Sequence, residues 1–351
     1  MPTPVIASDT HLAHDGLIEL VHGSPVACYE SPARAVEIER ALRAADGYAF
    51  EPPDEHGTAA ITAVHDTDLV DLLEHVWTDA VAAGHDGRRP LIPDTFATEA
   101  FTTRHELSGT PLSRFDRLGS YCFDTATPIV EGTYAAARAA VDVALTAARR
   151  VLDGAPLAYG LCRPPGHHAG TRLFGGYCYF NNAAIVAQSL VDGGAVRVAI
   201  LDVDYHHGNG TQQIFWERAD VLYVSLHGDP SGAYPYFSGY ASELGGGEGV
   251  GRNRNFPLAP RTDMTGYAAA LREALRLIAE FDPDAPLVLS LGFDTFERDP
   301  ISDLALGTAD YQRVGAMIGE LGRRTIALQE GGYAIDAIGA NAVSFLAGLR
   351  G

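Results

Sequence analysis

The sequence predicts an α/β protein with a doubly wound, mostly parallel sheet and helices on both faces. Three observations carry this. Short apolar, β-branched runs recur without polar alternation, a helical pattern follows each of them, and no linker or 20- to 50-residue repeat divides the chain. The strands are expected at 156–162, 196–203, 220–226, 285–291 and 324–330. The helices are expected at 133–153, 179–191, 263–281, 308–322 and 336–349. A single domain over 1–351 is the simplest organisation, since α/β sheets often run past 250 residues as one unit. The stretch 84–131 is rich in turn residues and long for a connection, which marks it as a functional or partner-contacting insertion. The glycine-rich LGGGEGVG at 244–251 lacks the lysine-hydroxyl ending of a phosphate loop and reads as a flexible loop.

Composition narrows the function. With 46% hydrophobic and 20% charged residues the chain is globular rather than disordered. Its 25 Lys and Arg against 45 Asp and Glu give a net charge of −20, which repels nucleic-acid phosphates and anionic lipid and draws cations. No nucleic acid and no membrane partner is expected, solubility being the main use of the charge and cation steering a secondary one. Four cysteines without CxxC spacing fit reduced thiols in a cytoplasmic protein. The N-terminus shows no basic stretch followed by an apolar one, and no run approaches the roughly 18 apolar residues of a membrane span.

The chemistry concentrates after the predicted strands. His167-His168, Asp202-x-Asp204-x-His206, His227, Asp294 and Glu330-Gly-Gly-Tyr333 each follow one, and ligands of open α/β sheets bind outside the carboxyl ends of the strands. Asp202, Asp204 and His206 alternate and so face one way on an extended strand end. A lone buried histidine or aspartate is usually a satisfied core residue. Three on one face, joined by Asp294, instead call for a cation, because buried unpaired carboxylates cost several kcal/mol. Three ligands with an open position describe a catalytic divalent metal. Zinc is the first choice, and the oxygen-rich set also admits Fe2+ or Co2+. Tandem imidazoles suit proton handling near neutral pH, and the Tyr333 phenol can donate to an oxyanion. There is no G-x-S-x-G nucleophile elbow, and His105-Glu106 meets glycine rather than histidine at position 109, so neither serine-hydrolase nor HExxH chemistry fits.

CRPPGHHAG (162–170), FGGYCYFNNAA (174–184), AILDVDYHHGNGTQQIF (199–215), YVSLHGDP (223–230), LGFDTFERDPIS (291–302) and QEGGY (329–333) together resemble the histone deacetylase and acetylpolyamine amidohydrolase family, of arginase/deacetylase fold. GSYCFDTATPIVEGTY (119–134) and FDTFERDPIS look more like the bacterial acetylpolyamine branch. The resemblance implies a zinc-dependent amidohydrolase releasing acetyl groups from small cationic amines. Asp204, His206 and Asp294 would hold the metal, Asp202 would orient His167, Asn209 would orient His168, and Tyr333 would polarise the carbonyl. Asn209 stands where many class I histone deacetylases have aspartate, giving His168 a neutral partner. The resemblance further implies a structural K+ at Asp202, Asp204, His206, Ser225 and Leu226, and substrate contacts at Gly176, Tyr177, Tyr234 and Ile301. It also makes 84–131 an insertion that builds a homodimer and narrows the mouth of the site. The acids that read the substrate ammonium in relatives are not matched: Ala126 falls at one such position, with Asp116 or Asp124 nearby. The alternatives are a protein lysine deacetylase, a binuclear manganese ureohydrolase, disfavoured by Phe296 in place of a second aspartate, and an inactive acetyl-ligand binder.

Overall fold

The computed structural model describes residues 2–98, 112–282, 284 and 286–351. Its strands are β1 (Thr3–Ile6), β2 (Ile18–Val21), β3 (Ser24–Ala27), β4 (Tyr48–Glu51), β5 (Leu157–Gly160), β6 (Val198–Asp202), β7 (Val221–Gly228), β8 (Asn253–Leu258), β9 (Leu287–Leu291) and β10 (Thr325–Gln329). Eight of them form one sheet in the order β4-β1-β5-β10-β9-β6-β7-β8, every pairing parallel, while β2 and β3 make a separate antiparallel hairpin. All five expected strands are present at the centre. The four-residue β1 and β4 and the edge strand β8, which is polar and carries Pro257, gave no apolar run to read. A proline is tolerated there because an edge strand pairs on one side only.

Successive residues of β6 face two different cores. Ala199 and Leu201 pack with the helices Pro32–Ala44, Met264–Phe281, Thr308–Gly319 and Ile335–Arg350, whereas Val198 and Ile200 pack with Thr67–Ala82, Thr133–Leu152 and Asn182–Asp192. Burial on both faces removes the need for polar alternation, which is why these strands read as continuous apolar runs. The helix expected from 179 starts at Asn182, because the Asn181 side chain accepts the Ala184 N–H at 2.9 Å and caps it there.

One expectation about loops changes. The glycine-rich 244–251 loop is packed rather than loose: a Cβ at Gly246 would stand 2.5 Å from Trp216 Nε1, and one at Gly249 2.5 Å from the Trp216 carbonyl. In 84–131, residues 99–111 lie outside the described residues. Its remainder is tied to the body by a bridge between Leu91 and Ile129 and by Arg114, which pairs with Asp71 and Asp79. Among the described residues, no helix is long and apolar enough to cross a membrane.

Candidate active site

The carboxyl ends of β5, β6, β9 and β10 bring the predicted residues together. Asp204, His206 and Asp294 each present a ligand atom within 4.8 Å of the others. His206 Nδ1 stands 2.9 Å from Asp294 Oδ2 and 3.4 Å from Asp204 Oδ1. Each carboxylate is steadied by backbone: Gly331 N donates to Asp204 Oδ2 at 2.7 Å, and Tyr205 N to Asp294 Oδ1 at 2.8 Å. Burial, with Asp204 beside it, pushes Asp294 up to about 7. Burial opposes a charge on His206, yet the two aspartates draw it up to about 10. Two fully buried carboxylates thus demand a positive charge between them, which is what a divalent ion provides; the donor set fits one.

Glycine is required around this cluster for space. A Cβ at Gly292 would meet Asp204 Oδ2 at 2.2 Å, and one at Gly331 would meet Asp294 Oδ2 at 2.5 Å and Asp204 Oδ2 at 2.6 Å. Gly331→Ala should therefore cut bound divalent metal severalfold without altering a ligand. Full metal content by elemental analysis would show instead that the strand end can retreat.

The tandem histidines differ in charge. His167 Nδ1 lies 3.1 Å from Asp202 Oδ2, which also accepts the Tyr223 hydroxyl at 2.9 Å. Burial works against protonation of His167, but Asp204 and Asp202 overcome it and hold the imidazole at about 10. His168 is the opposite case. Burial, then the neighbouring His167, lower it well below 6.5 and keep it neutral. Its Nδ1 is 2.7 Å from Asn209 Oδ1, and Asn209 Nδ2 points at the His168 carbonyl at 3.5 Å. The amide so oriented accepts the Nδ1 proton and leaves Nε2 as the free acceptor.

These groups open on a cavity of about 340 Å³ whose lining includes His168, His206, Gly176, Tyr177, Tyr234, Ile301 and Tyr333. Tyr177 packs on Tyr333 with centroids 5.6 Å apart, while Tyr234 stands edge-on to His168 at 5.2 Å. Gly176 has a φ of 57°, and a Cβ there would meet His168 at 2.2 Å. Burial raises the Tyr333 phenol well above 10, so it keeps its proton as a donor.

The residues from 28 to 349 match the family model of the histone deacetylase domain. The chain belongs to the histone deacetylase family. Among its relatives, acetylpolyamine amidohydrolase 2 of Pseudomonas aeruginosa is 46% identical over 99% of this chain and 98% of its own. The acetylpolyamine amidohydrolase of Mycoplana ramosa is 42% identical over 99% of each. The crystal structure of acetylpolyamine aminohydrolase from Burkholderia pseudomallei superposes with a TM-score of 0.92 at 40% identity, covering 99% of this chain and 98% of that one.

Within this histone deacetylase family member, some candidates do not reach the cavity. His227 is a satisfied core histidine, placed between Ser225 Oγ at 2.7 Å and the Gly239 carbonyl at 2.8 Å and lowered by burial to about 4. Asp116 is exposed and accepts from Ser113 within its own turn. Ser225 pairs in register with Asp202 across β6 and β7. Glu330, named for the crevice with no role, sits behind it: its Oε2 accepts Gly166 N at 2.6 Å and His167 N at 3.2 Å, so it carries the backbone of the tandem. Arg34 was not singled out at all, yet it is buried with its guanidinium 4.7 Å from the Tyr333 ring centroid and donates to the Gly332 carbonyl at 2.6 Å. Glu19 of the β2–β3 hairpin was missed too, although it lines the cavity and is pushed by burial up to about 7. Neither has a motif or spacing that could have signalled it, since only the long-range fold brings them in.

Proposed function

We propose that this protein hydrolyses the N-acetyl amides of small cationic amines, acetylpolyamines first among them. What carries the reading is that a neutral base, a protonated phenol and His206 of a carboxylate-rich metal cluster all line one tyrosine-lined cavity with Glu19 and Asp124 in its wall. The acetylpolyamine amidohydrolases to which the chain is 42–46% identical over nearly its whole length support the substrate class. Asp204, His206 and Asp294 would hold the ion, for which zinc is our assignment and Fe2+ or Co2+ the alternatives. Once bound it supplies a Lewis acid for the acetyl carbonyl and the attacking water.

The protein's own groups do the rest. His168 Nε2 takes a proton from the water and later returns it to the departing amine. His167, held cationic by Asp202 and Asp204, offsets the local negative charge beside it. Tyr333 donates its O–H to the oxygen that gains charge as the carbonyl is attacked. Gly176 offers its carbonyl to the amide N–H, between Tyr177 and Tyr234, with Ile301 at the rim. A structural K+ at Asp202, Asp204, His206, Ser225 and Leu226 belongs to the same assignment, as do a cytoplasmic location and a homodimer built through 84–131.

A substrate panel tests this. Acetylated diamines should be turned over better than acetyl-lysine in a protein, and added salt should weaken them by screening the acidic surface. Deleting much of 84–131 should open the mouth and dissociate the dimer. A monomer that deacetylates histone tails as readily as acetylputrescine would overturn the assignment in favour of a protein lysine deacetylase.

A further inference from the structure

Residues 121–127 run beside 174–178 much as a strand would. Phe174 N donates to the Tyr121 carbonyl at 2.7 Å, Phe123 N donates to the Phe174 carbonyl at 3.1 Å, and Cys122 bridges to Phe174. At the end of this pairing Gly176 and Tyr177 have φ of 57° and 66°. Two consecutive left-handed residues, the second a tyrosine, persist only where their surroundings over-determine them. The fasteners are Asp124 and Thr127. Asp124 Oδ2 accepts the Gly176 N–H at 2.7 Å, and Thr127 Oγ1 accepts the Tyr177 N–H at 3.0 Å.

The same Asp124 Oδ2 also accepts the Tyr234 hydroxyl at 2.7 Å. Its Oδ1 takes the Ala126 N–H at 3.1 Å and the Thr127 hydroxyl at 2.9 Å. One carboxylate therefore joins the Gly176–Tyr177 backbone to the side chain that packs on His168. A carboxylate accepts about four hydrogen bonds, and these four donors fill it. No lone pair remains for a substrate ammonium.

We propose that Asp124 is a positioning residue. Through the Gly176 N–H and the Tyr234 O–H it sets the spacing of the slot and the direction of the Gly176 carbonyl, and hence the placement of the scissile amide before His168 and Tyr333. This rests on the deacetylase reading above and extends it: an acid in the slot of an enzyme for cations acts on slot geometry and not on the substrate's charge.

The test compares wild type, Asp124→Ala, Asp124→Asn, Tyr234→Phe and the Asp124→Ala/Tyr234→Phe double variant on N-acetyl-1,4-diaminobutane and on uncharged N-butylacetamide. A misplacement near 1 Å costs about 100-fold, so Asp124→Ala should lower kcat by about 10- to 100-fold on both amides alike. Asp124→Asn, keeping one acceptor oxygen, should fall between it and wild type. Tyr234→Phe should lose about 3-fold, and the double variant should be no worse than Asp124→Ala, because the tyrosine acts through the aspartate. Bound metal should match wild type throughout. A loss confined to the charged amide and expressed in KM would overturn the proposal and make Asp124 an ammonium reader, and additive losses would overturn the coupling. Should Asp124→Ala not fold, Tyr234→Phe decides alone, an unchanged kcat on both amides being the refuting result. Reading the same ratios on a fluorogenic acetyl-lysyl amide separates this from the polyamine assignment, whose failure would alter which substrate is fastest and not the pattern among variants.

Discussion

Asp204→Ala and Asp294→Ala should each leave the protein without its divalent metal and without amidase activity. Each supplies one of the three ligand atoms that lie within 4.8 Å of one another, and backbone N–H groups of His206 and Gly331 on Asp204 and of Tyr205 on Asp294 hold the two carboxylates in place. The loss should exceed the roughly 10- to 100-fold that follows removal of a ligand's outer partner. Ligand loss also has a thermal signature. An ion at 100 times its dissociation constant stabilises the native state by about 2.7 kcal/mol, so chelator-treated wild type should melt higher when the metal is restored. The two variants should show no such rise. Full metal content with turnover in either one would refute the assignment.

His168→Ala and Tyr333→Phe should each lower turnover by about 100-fold or more while bound metal stays at the wild-type level. The pH profile gives a second test for His168. A general base is lost on protonation, so activity should fall as the pH drops through the His168 pKa, which burial and His167 place below 6.5. Asn209→Asp would set a carboxylate against Nδ1 and favour the imidazolium, moving that acid limb to higher pH. If both variants at His168 and Tyr333 keep near-normal rates, another group carries the proton. If the acid limb stays put in Asn209→Asp, His168 is not the group that titrates.

Much of this was legible in the sequence because parallel strands buried on both faces cannot disguise themselves. β5, β6, β7, β9 and β10 are short uninterrupted apolar runs, and chemistry placed directly after such runs must gather at one end of the sheet. That geometry brought Asp204, His206, Asp294, His167, His168 and Tyr333 together without any knowledge of strand order. The edge strands β4 and β8 and the β2–β3 hairpin were not legible. They are short or half-exposed, and their pairing depends on what lies beside them rather than on their own pattern.

Charge states were the other thing the sequence withheld. The resemblance pairs His167 with Asp202 and His168 with Asn209, but does not tell how far burial and the neighbouring charges of Asp204 and His167 separate them, one held as a cation and the other kept neutral. His227, expected just after a strand, instead lies within β7 and ends between a serine and a carbonyl. Asp124 looks in sequence like a free acid beside a cation site, and the fold spends all four of its acceptor positions on Gly176, Tyr234, Ala126 and Thr127. The sequence by itself determined which residue types stand at the ends of the strands, because that follows from local apolar patterning and motif spacing. Only the tertiary structure decided which of them carry charge and which are already satisfied, because those properties depend on desolvation and on partners tens to hundreds of residues away along the chain.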